Sequence, residues 1–339
     1  MSIGTFNSEN FIGYAQSAGN LSILCYALFA IFVKRMDLII SPVLQQSKQV
    51  KYYINTHKSS SETTRETAFN FKAFRKLSNR SPQEISDDWL TWFIGFSEGD
   101  GAFLTGEDKR LRFVLTQKEK EILNLIQETL KIGRVRTYGP FSRYRVDDNK
   151  GILVLTALFN GNLVLDKRKV QIKKWLDILD ISEKNRNALP FLSNSWLSGF
   201  IDAEGCFNVT LLKRKAMTLG YQVKLRFMID QKDSFTEMVF IKDQLNLFLS
   251  HRKLKKGSTG TMPRVETNSF IKIPLIVKYL NEFRLKTKKQ ESFDKWVTVY
   301  HLVLAKAHLT EKGLHEIRKL SKQVNLITSI TNKTGNKLD

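Results

Sequence analysis

Four acidic residues offer this sequence its clearest chemistry. Glu98 and Asp100 lie in the run WFIGFSEGDGAF (92–103), and Asp202 and Glu204 lie in WLSGFIDAEGCF (196–207). Each pair closes an apolar segment, and a glycine (Gly101, Gly205) follows its second acid. A carboxylate at the C-terminal end of a buried helix meets the unfavourable end of the helix dipole. Two such helices side by side bring two carboxylates together, and like charges raise one pKa sharply. Bound divalent cations relieve both penalties, and hard oxygen ligands suit Mg²⁺. A cation held beside a phosphate activates water and neutralises the leaving oxygen, which is the chemistry of phosphodiester hydrolysis. Asp100 and Glu204 are therefore the candidate catalytic acids. Glu98 and Asp202 are expected to be structural carboxylates, hydrogen-bonded at the helix ends.

The two runs are copies of one another. Trp92, Gly95, Phe96, Gly101 and Phe103 align with Trp196, Gly199, Phe200, Gly205 and Phe207, 104 residues later. The likeness continues downstream, which is how an internal duplication announces itself. VLTQKEKEI (114–122) parallels MIDQKDSFT (228–236), so Gln117 aligns with Gln231. Arg110 and Arg112 precede the first glutamine at the spacing by which Lys224 and Arg226 precede the second. Lys167 stands eight residues before Trp175, and Lys288 stands eight before Trp296. Gln117 and Gln231 are candidates to order water. Lys167 and Lys288 are candidates to stabilise charge on a phosphate, although each sits in a basic run where a shift by one position is possible.

The elements that must position these residues follow from local patterning. Trp89–Ser97 and Trp196–Ile201 are apolar on most sides and read as buried helices. Ser81-Pro82-Gln83-Glu84 fits a capping box with proline at the first helical position, Ser86 before Asp87-Asp88 is a second start, and Ser193–Ser195 caps the other copy. Lys109–Thr116 and Tyr221–Met228 alternate basic with apolar residues, as half-buried strands do. Arg134/Arg136 and Arg143/Arg145 flank Gly139-Pro140 in a hairpin whose four arginines share a face. Glu119–Lys131 and Ser234–Phe248 have helical spacing. The expected fold is α+β: two half-domains, 85–180 and 181–320, each a basic antiparallel sheet backed by helices. Residues 321–339 are read as a tail.

The 339 residues carry 54 Lys+Arg against 33 Asp+Glu, a formal charge of +21. That excess points to a polyanionic partner, nucleic acid before an anionic membrane surface. Two cysteines exclude a disulfide framework, and the histidines lack zinc-site spacing. His301, His308 and His315 recur every seven residues and read as a helix face without metal. Residues 1–84 form an N-terminal extension. Its apolar stretch 21–33 is short for a bilayer span, extending it back to 11 takes in Gln16, Ser17 and Asn20 and makes only a marginal one, and 45–80 reads as a polar linker.

The motifs FIGFSEGDG (93–101) and LSGFIDAEG (197–205) resemble the signature of the LAGLIDADG homing endonucleases, in the single-chain form typical of group I introns in fungal mitochondria. The resemblance covers about residues 85–310, and the first motif departs from the signature at Ser97 and Glu98. It implies two motif helices packed on a pseudo-two-fold axis and two saddle-like sheets over adjacent DNA major grooves. Asp100 and Glu204, with Gly99 and Ala203 before them, would bind two or three divalent ions. Gln117/Gln231 and Lys167/Lys288 would complete the site. The implied reaction is a double-strand break at a long intron-insertion site, leaving short 3′ overhangs. The implied state is a monomer in the mitochondrion. Some relatives act instead, or also, as maturases on their host intron RNA. A DNA-binding regulator without chemistry is a third reading, and it has no use for the acids. Arg110, Arg112, Arg134, Arg136, Arg143 and Arg145 are expected to serve one DNA half-site. Lys213, Arg214, Lys215, Lys224, Arg226 and Arg264 are expected to serve the other.

Overall fold

A computed structural model describes residues 69–184, 192–254 and 257–333, with side chains as far as 324. Residues 11–33, where membrane contact is in question, lie outside the described part. No described helix is long and apolar enough to cross a membrane.

The element order repeats. Helix α2 (Asp87–Asp100) leads into β1 (Gly101–Thr105) and β2 (Leu111–Gln117), then α3 (Lys120–Leu130), β3 (Arg134–Tyr138), β4 (Phe141–Val146), α4 (Asn149–Phe159) and α5 (Asp166–Leu179). Helix α6 (Trp196–Glu204) leads into β5 (Gly205–Lys213) and β6 (Tyr221–Asp230), then α7 (Phe235–Gln244), β7 (Phe248–His251), β8 (Pro263–Thr267), α8 (Ile273–Glu282) and α9 (Lys289–Leu304). Each half has a four-stranded sheet, in the orders β1-β2-β4-β3 and β5-β6-β8-β7, with every pairing antiparallel. The expected α+β architecture of two basic sheets backed by helices is what the chain adopts.

Alternation sets which face is buried. In β2, Leu111, Phe113 and Leu115 point inward while Arg112 and Val114 lie on the other face. In β6, Val223, Leu225, Phe227 and Ile229 point inward. The inward aromatics meet the helices behind each sheet. Phe103 packs on Phe113, Phe159 and Trp175 in the first half. Phe207 packs on Phe227, Phe293 and Trp296 in the second. The tryptophans that aligned in sequence thus fill equivalent places in the two cores.

Helices α2 and α6 pack against each other with backbones in contact. A Cβ on Gly95 would overlap the carbonyl oxygen of Trp196, and one on Gly199 would overlap that of Trp92. Only glycine permits this approach, which outweighs its poor helix propensity.

Five local expectations need correction. The end of the presumed linker folds: Lys72–Ser78 is a helix (α1) with Phe71 and Phe74 buried in the core. Asn70 exchanges hydrogen bonds with Asn162, N–H to Oδ1 at 2.9 Å and Nδ2 to carbonyl at 2.9 Å. Ser81 and Glu84 form both bonds of a capping box, yet they close only a turn. Helix α2 starts later, capped by Ser86 accepting from Trp89 N–H at 3.1 Å. Ser195 does not cap α6; its hydroxyl donates to the Asp88 carbonyl of the neighbouring helix, and Asn194 Oδ1 accepts from Trp196 N–H. At the end of the second half, α10 (Glu311–Lys333) runs on into the presumed tail, with Ser321 and Val324 buried. The three histidines share no face, because they lie on α9, on a 3₁₀ turn (Ala307–Leu309) and on α10.

Candidate active site and nucleic-acid face

Asp100 and Glu204 are the last residues of α2 and α6, the two helices in backbone contact. A Cβ on Gly99 would come within 3.1 Å of Glu204 Cγ. Burial is the main cause raising both carboxyl groups. Glu204 reaches about 7, with the Asp100 charge the next cause. Asp100 is raised as well, and Lys289 and Gln117 act against that rise. The two acids are therefore close, half-buried and electrostatically coupled.

The other motif acids hold the helix pair together. Glu98 Oε2 accepts from Trp196 Nε1 at 2.6 Å, and Asp202 Oδ2 accepts from Trp92 Nε1 at 2.8 Å. Each acid thus clasps the motif tryptophan of the opposite helix. Each also binds backbone N–H groups just before its own half's long final helix. Val164 and Leu165 donate to Glu98 at 2.8 and 2.6 Å, and Lys286 donates to Asp202 at 2.7 Å. Thr287 Oγ1 adds a bond to Asp202 at 2.5 Å. The sequence placed these acids in a structural role. It could not show that their partners are the motif tryptophans, which looked like plain core.

Two buried cations close the C-terminal ends of the motif helices. Arg168 donates to the carbonyls of Glu98 (2.8 Å) and Gly99 (2.9 Å). Lys289 Nζ donates to those of Ile201 (3.1 Å), Asp202 (2.6 Å) and Ala203 (2.8 Å). Free carbonyls and the negative dipole end are both satisfied this way. The sequence pointed one position earlier. Lys288 faces away, its side chain exposed and 3.7 Å from Glu121. Lys289 is the residue that meets the acids. The signal was present, since Arg168 and Lys289 each stand seven residues before an aligned tryptophan. Lys167 is partly buried: its Nζ reaches the Lys232 carbonyl at 3.2 Å, across to the other half, and Glu204 is among the charges acting on it.

The aligned glutamines differ. Gln117 Nε2 donates to Asp100 Oδ2 at 2.5 Å. Gln231 is buried, its Oε1 accepts from Lys232 N–H, and its Nε2 has no partner among the described residues. Gly99 and Ala203 adjoin the two acids as expected. Their carbonyls each accept from a buried cation, which leaves one lone pair apiece.

The outer sheet faces carry the basic residues. Arg112, Arg134, Arg136, Arg143 and Arg145 share one face of the first sheet, Arg134 opposite Arg145 and Arg136 opposite Arg143. Arg110 falls outside β2, in the turn, paired with Asp108. On the second sheet Lys224, Arg226 and Arg264 lie on the outer face. Arg226 is bound to Glu266 and Arg264 to Asp230. Lys213, Arg214 and Lys215 lie at the exposed end of the β5–β6 hairpin.

Carboxylates at the joint of two like halves, flanked by sheets with arginine-bearing outer faces, define a duplicated α+β scaffold. The LAGLIDADG endonuclease family model matches residues 93–179 and 197–300, more than half of the chain. The chain belongs to the LAGLIDADG endonuclease family. It is 35% identical over 283 residues to probable intron-encoded endonuclease 4 of Neurospora crassa, covering 80% of this chain and 48% of that protein. It thus spans about half the length of that relative. Intron-encoded RNA maturase bI4 of Saccharomyces cerevisiae is 30% identical over 45% of this chain and 28% of its own length. Among solved structures, meganuclease I-AabMI bound to uncleaved DNA superposes with a TM-score of 0.57, covering 69% of this chain and 98% of that one, at 23% identity. That likeness speaks to the fold.

Proposed function

We propose that this chain is a site-specific, divalent-cation-dependent DNA endonuclease, which breaks both strands at a long intron-insertion site. The observation that carries this reading is the meeting of Asp100 and Glu204 from separate packed helices, between two basic sheets. The residues fit a hard cation. Among the described residues no group of three or more His, Cys, Asp or Glu could hold a metal. Two carboxylates with the remaining carbonyl lone pairs of Gly99 and Ala203 are, however, enough for Mg²⁺, which takes its other ligands from water and phosphate. A bound cation would supply Lewis acidity and a more acidic water.

The chain's own groups do the rest. The sheets hold the duplex so that a scissile phosphate in each strand reaches the carboxylates. Gln117 orients Asp100. Lys167 brings positive charge toward the phosphate. Arg168 and Lys289 fix the helix ends on which the acids ride. Cleavage of each strand at offset positions would leave short 3′ overhangs. The monomeric chain would act in the mitochondrion, as its fungal intron-encoded relatives suggest. A maturase role on intron RNA is compatible with the same basic faces, but it gives no use to two coupled, half-buried carboxylates.

The test uses the full chain with duplex DNA carrying the intron-free junction of its host gene. Mg²⁺ should give discrete double-strand cleavage, and Ca²⁺ should give binding. Asp100→Asn and Glu204→Gln should each abolish cleavage. Intact cleavage by either variant would refute the assignment, and tight binding of intron RNA without DNA cleavage would favour the maturase.

A further inference from the structure

The two outer faces are built on different electrostatic plans. On the first, Arg136 stands directly opposite Arg143 on the neighbouring strand. Like charges placed so are destabilising, and no described acid pairs with either. Arg143 lies over the Tyr138 ring instead. Asp147 alone serves the other two arginines, pairing with Arg134 at 2.6 Å and Arg145 at 2.6 Å. Arg112, across from Leu104, has no described acid either. This face presents more positive charge than its one described acid balances.

On the second face each arginine is held by a carboxylate beside it. Arg226 donates from Nε to Glu266 at 2.8 Å, and Ser250 Oγ holds the other oxygen of Glu266 at 2.7 Å. Arg264 donates to both oxygens of Asp230, at 2.5 and 2.7 Å, while Arg252 reaches Asp230 at 3.1 Å. Against burial, both carboxylates lie below their usual range, Glu266 through the Ser250 hydroxyl and then Arg226, and Asp230 through Arg264 and Arg252. A guanidinium bound along one edge keeps free N–H groups in a fixed orientation. Such a fork loses little freedom on meeting a base edge, and arginine reads guanine by this geometry. The flanking acids also lower the face's attraction for phosphate.

We propose that the two halves divide the work of DNA recognition. The first sheet supplies salt-sensitive, sequence-tolerant affinity through Arg136 and Arg143. The second supplies base discrimination through Arg226 and Arg264, oriented by Glu266 and Asp230. Glu266 is then a positioning residue for specificity, although it carries the same charge as DNA. This inference rests on the DNA-binding reading above.

The experiment selects bound molecules from a random-sequence duplex pool with the full chain in Ca²⁺, followed by sequencing. One half of the selected site should be sharply constrained and the other diffuse. Glu266→Ala should flatten the constrained half, lowering discrimination there about tenfold, while binding random-sequence duplex more tightly than the unaltered chain. Arg143→Ala should leave the selected bases unchanged and reduce the slope of log affinity against log salt by about 0.9. Glu266→Gln keeps an acceptor for Arg226 and should fall between, and thermal melts confirm that each variant folds. Equally constrained halves, or an unchanged base selection by Glu266→Ala, would overturn the division of labour. Retention of no duplex at all would overturn the nuclease reading, and this inference with it.

Discussion

Glu204 and its neighbours set the chemistry at the scale of single residues. With its pKa near 7, Glu204 holds a proton through the mildly acid range. A cation must displace that proton to bind. Affinity for Ca²⁺ should therefore fall as pH drops below about 7, approaching tenfold per unit if one proton is exchanged. Titration calorimetry in two buffers of different ionisation heat would count the proton directly. Because the Asp100 charge helps hold the proton on Glu204, Asp100→Asn should move the midpoint to lower pH. An unmoved midpoint would mean the carboxylates are not coupled. The adjacent lysines give a sharper contrast. Lys288→Ala removes an exposed group and should change stability by less than about 0.5 kcal/mol. Lys289→Ala strips three buried carbonyls of their donor and should cost about 3 kcal/mol or more. Denaturant titration of the two variants would separate them.

At the scale of elements, the α2–α6 pair is both the joint of the molecule and the floor of its site. Its closeness depends on Gly95 and Gly199, and its register on the tryptophan–carboxylate clasps. Gly199→Ala places a methyl group against the Trp92 carbonyl. The helices must separate, at a cost of about 1–3 kcal/mol, and Asp100 and Glu204 must part with them. The expected result is a lower melting temperature together with weaker Ca²⁺ binding. Loss of stability with unchanged cation affinity would show that the acids do not depend on this spacing. Gln117 and Gln231 show that equivalent elements need not give equivalent contacts. One binds its acid, and the other leaves a buried amide unpartnered among the described residues.

For the molecule as a whole, the first half needs more chain than its motif suggests. Phe71 is 5% exposed and Phe74 is 1% exposed, both well before α2. A chain beginning at residue 81 loses both rings, each worth about 1.5–3 kcal/mol of burial, and the hydrogen bonds between Asn70 and Asn162. It should melt well below a chain beginning at residue 65. Equal melting temperatures would show that α1 adds nothing to the fold.

Much of this was legible in the sequence because duplication makes weak local signals reinforce one another. A single acid after an apolar helix is unremarkable, but Asp100 and Glu204 in matched runs marked the site and its two-fold plan. Periods of two in 109–116 and 221–228 marked the strands and separated their apolar from their basic faces, since alternation is a property of the extended chain itself. Three features were decided only by tertiary structure. Which lysine of 288 and 289 enters the site depends on the angle at which α9 meets the end of α6. The role of Trp92 and Trp196 as donors depends on a reciprocal pairing across the helix joint, and apolar patterning carries no record of an indole's hydrogen-bond partner. The neutralisation of Arg226 and Arg264 depends on β6, β7 and β8 lying side by side, which brings Glu266 and Asp230 onto the face from positions where sequence distance gives no warning. Side-chain type and spacing follow from the chain alone; which charges meet is settled by long-range packing.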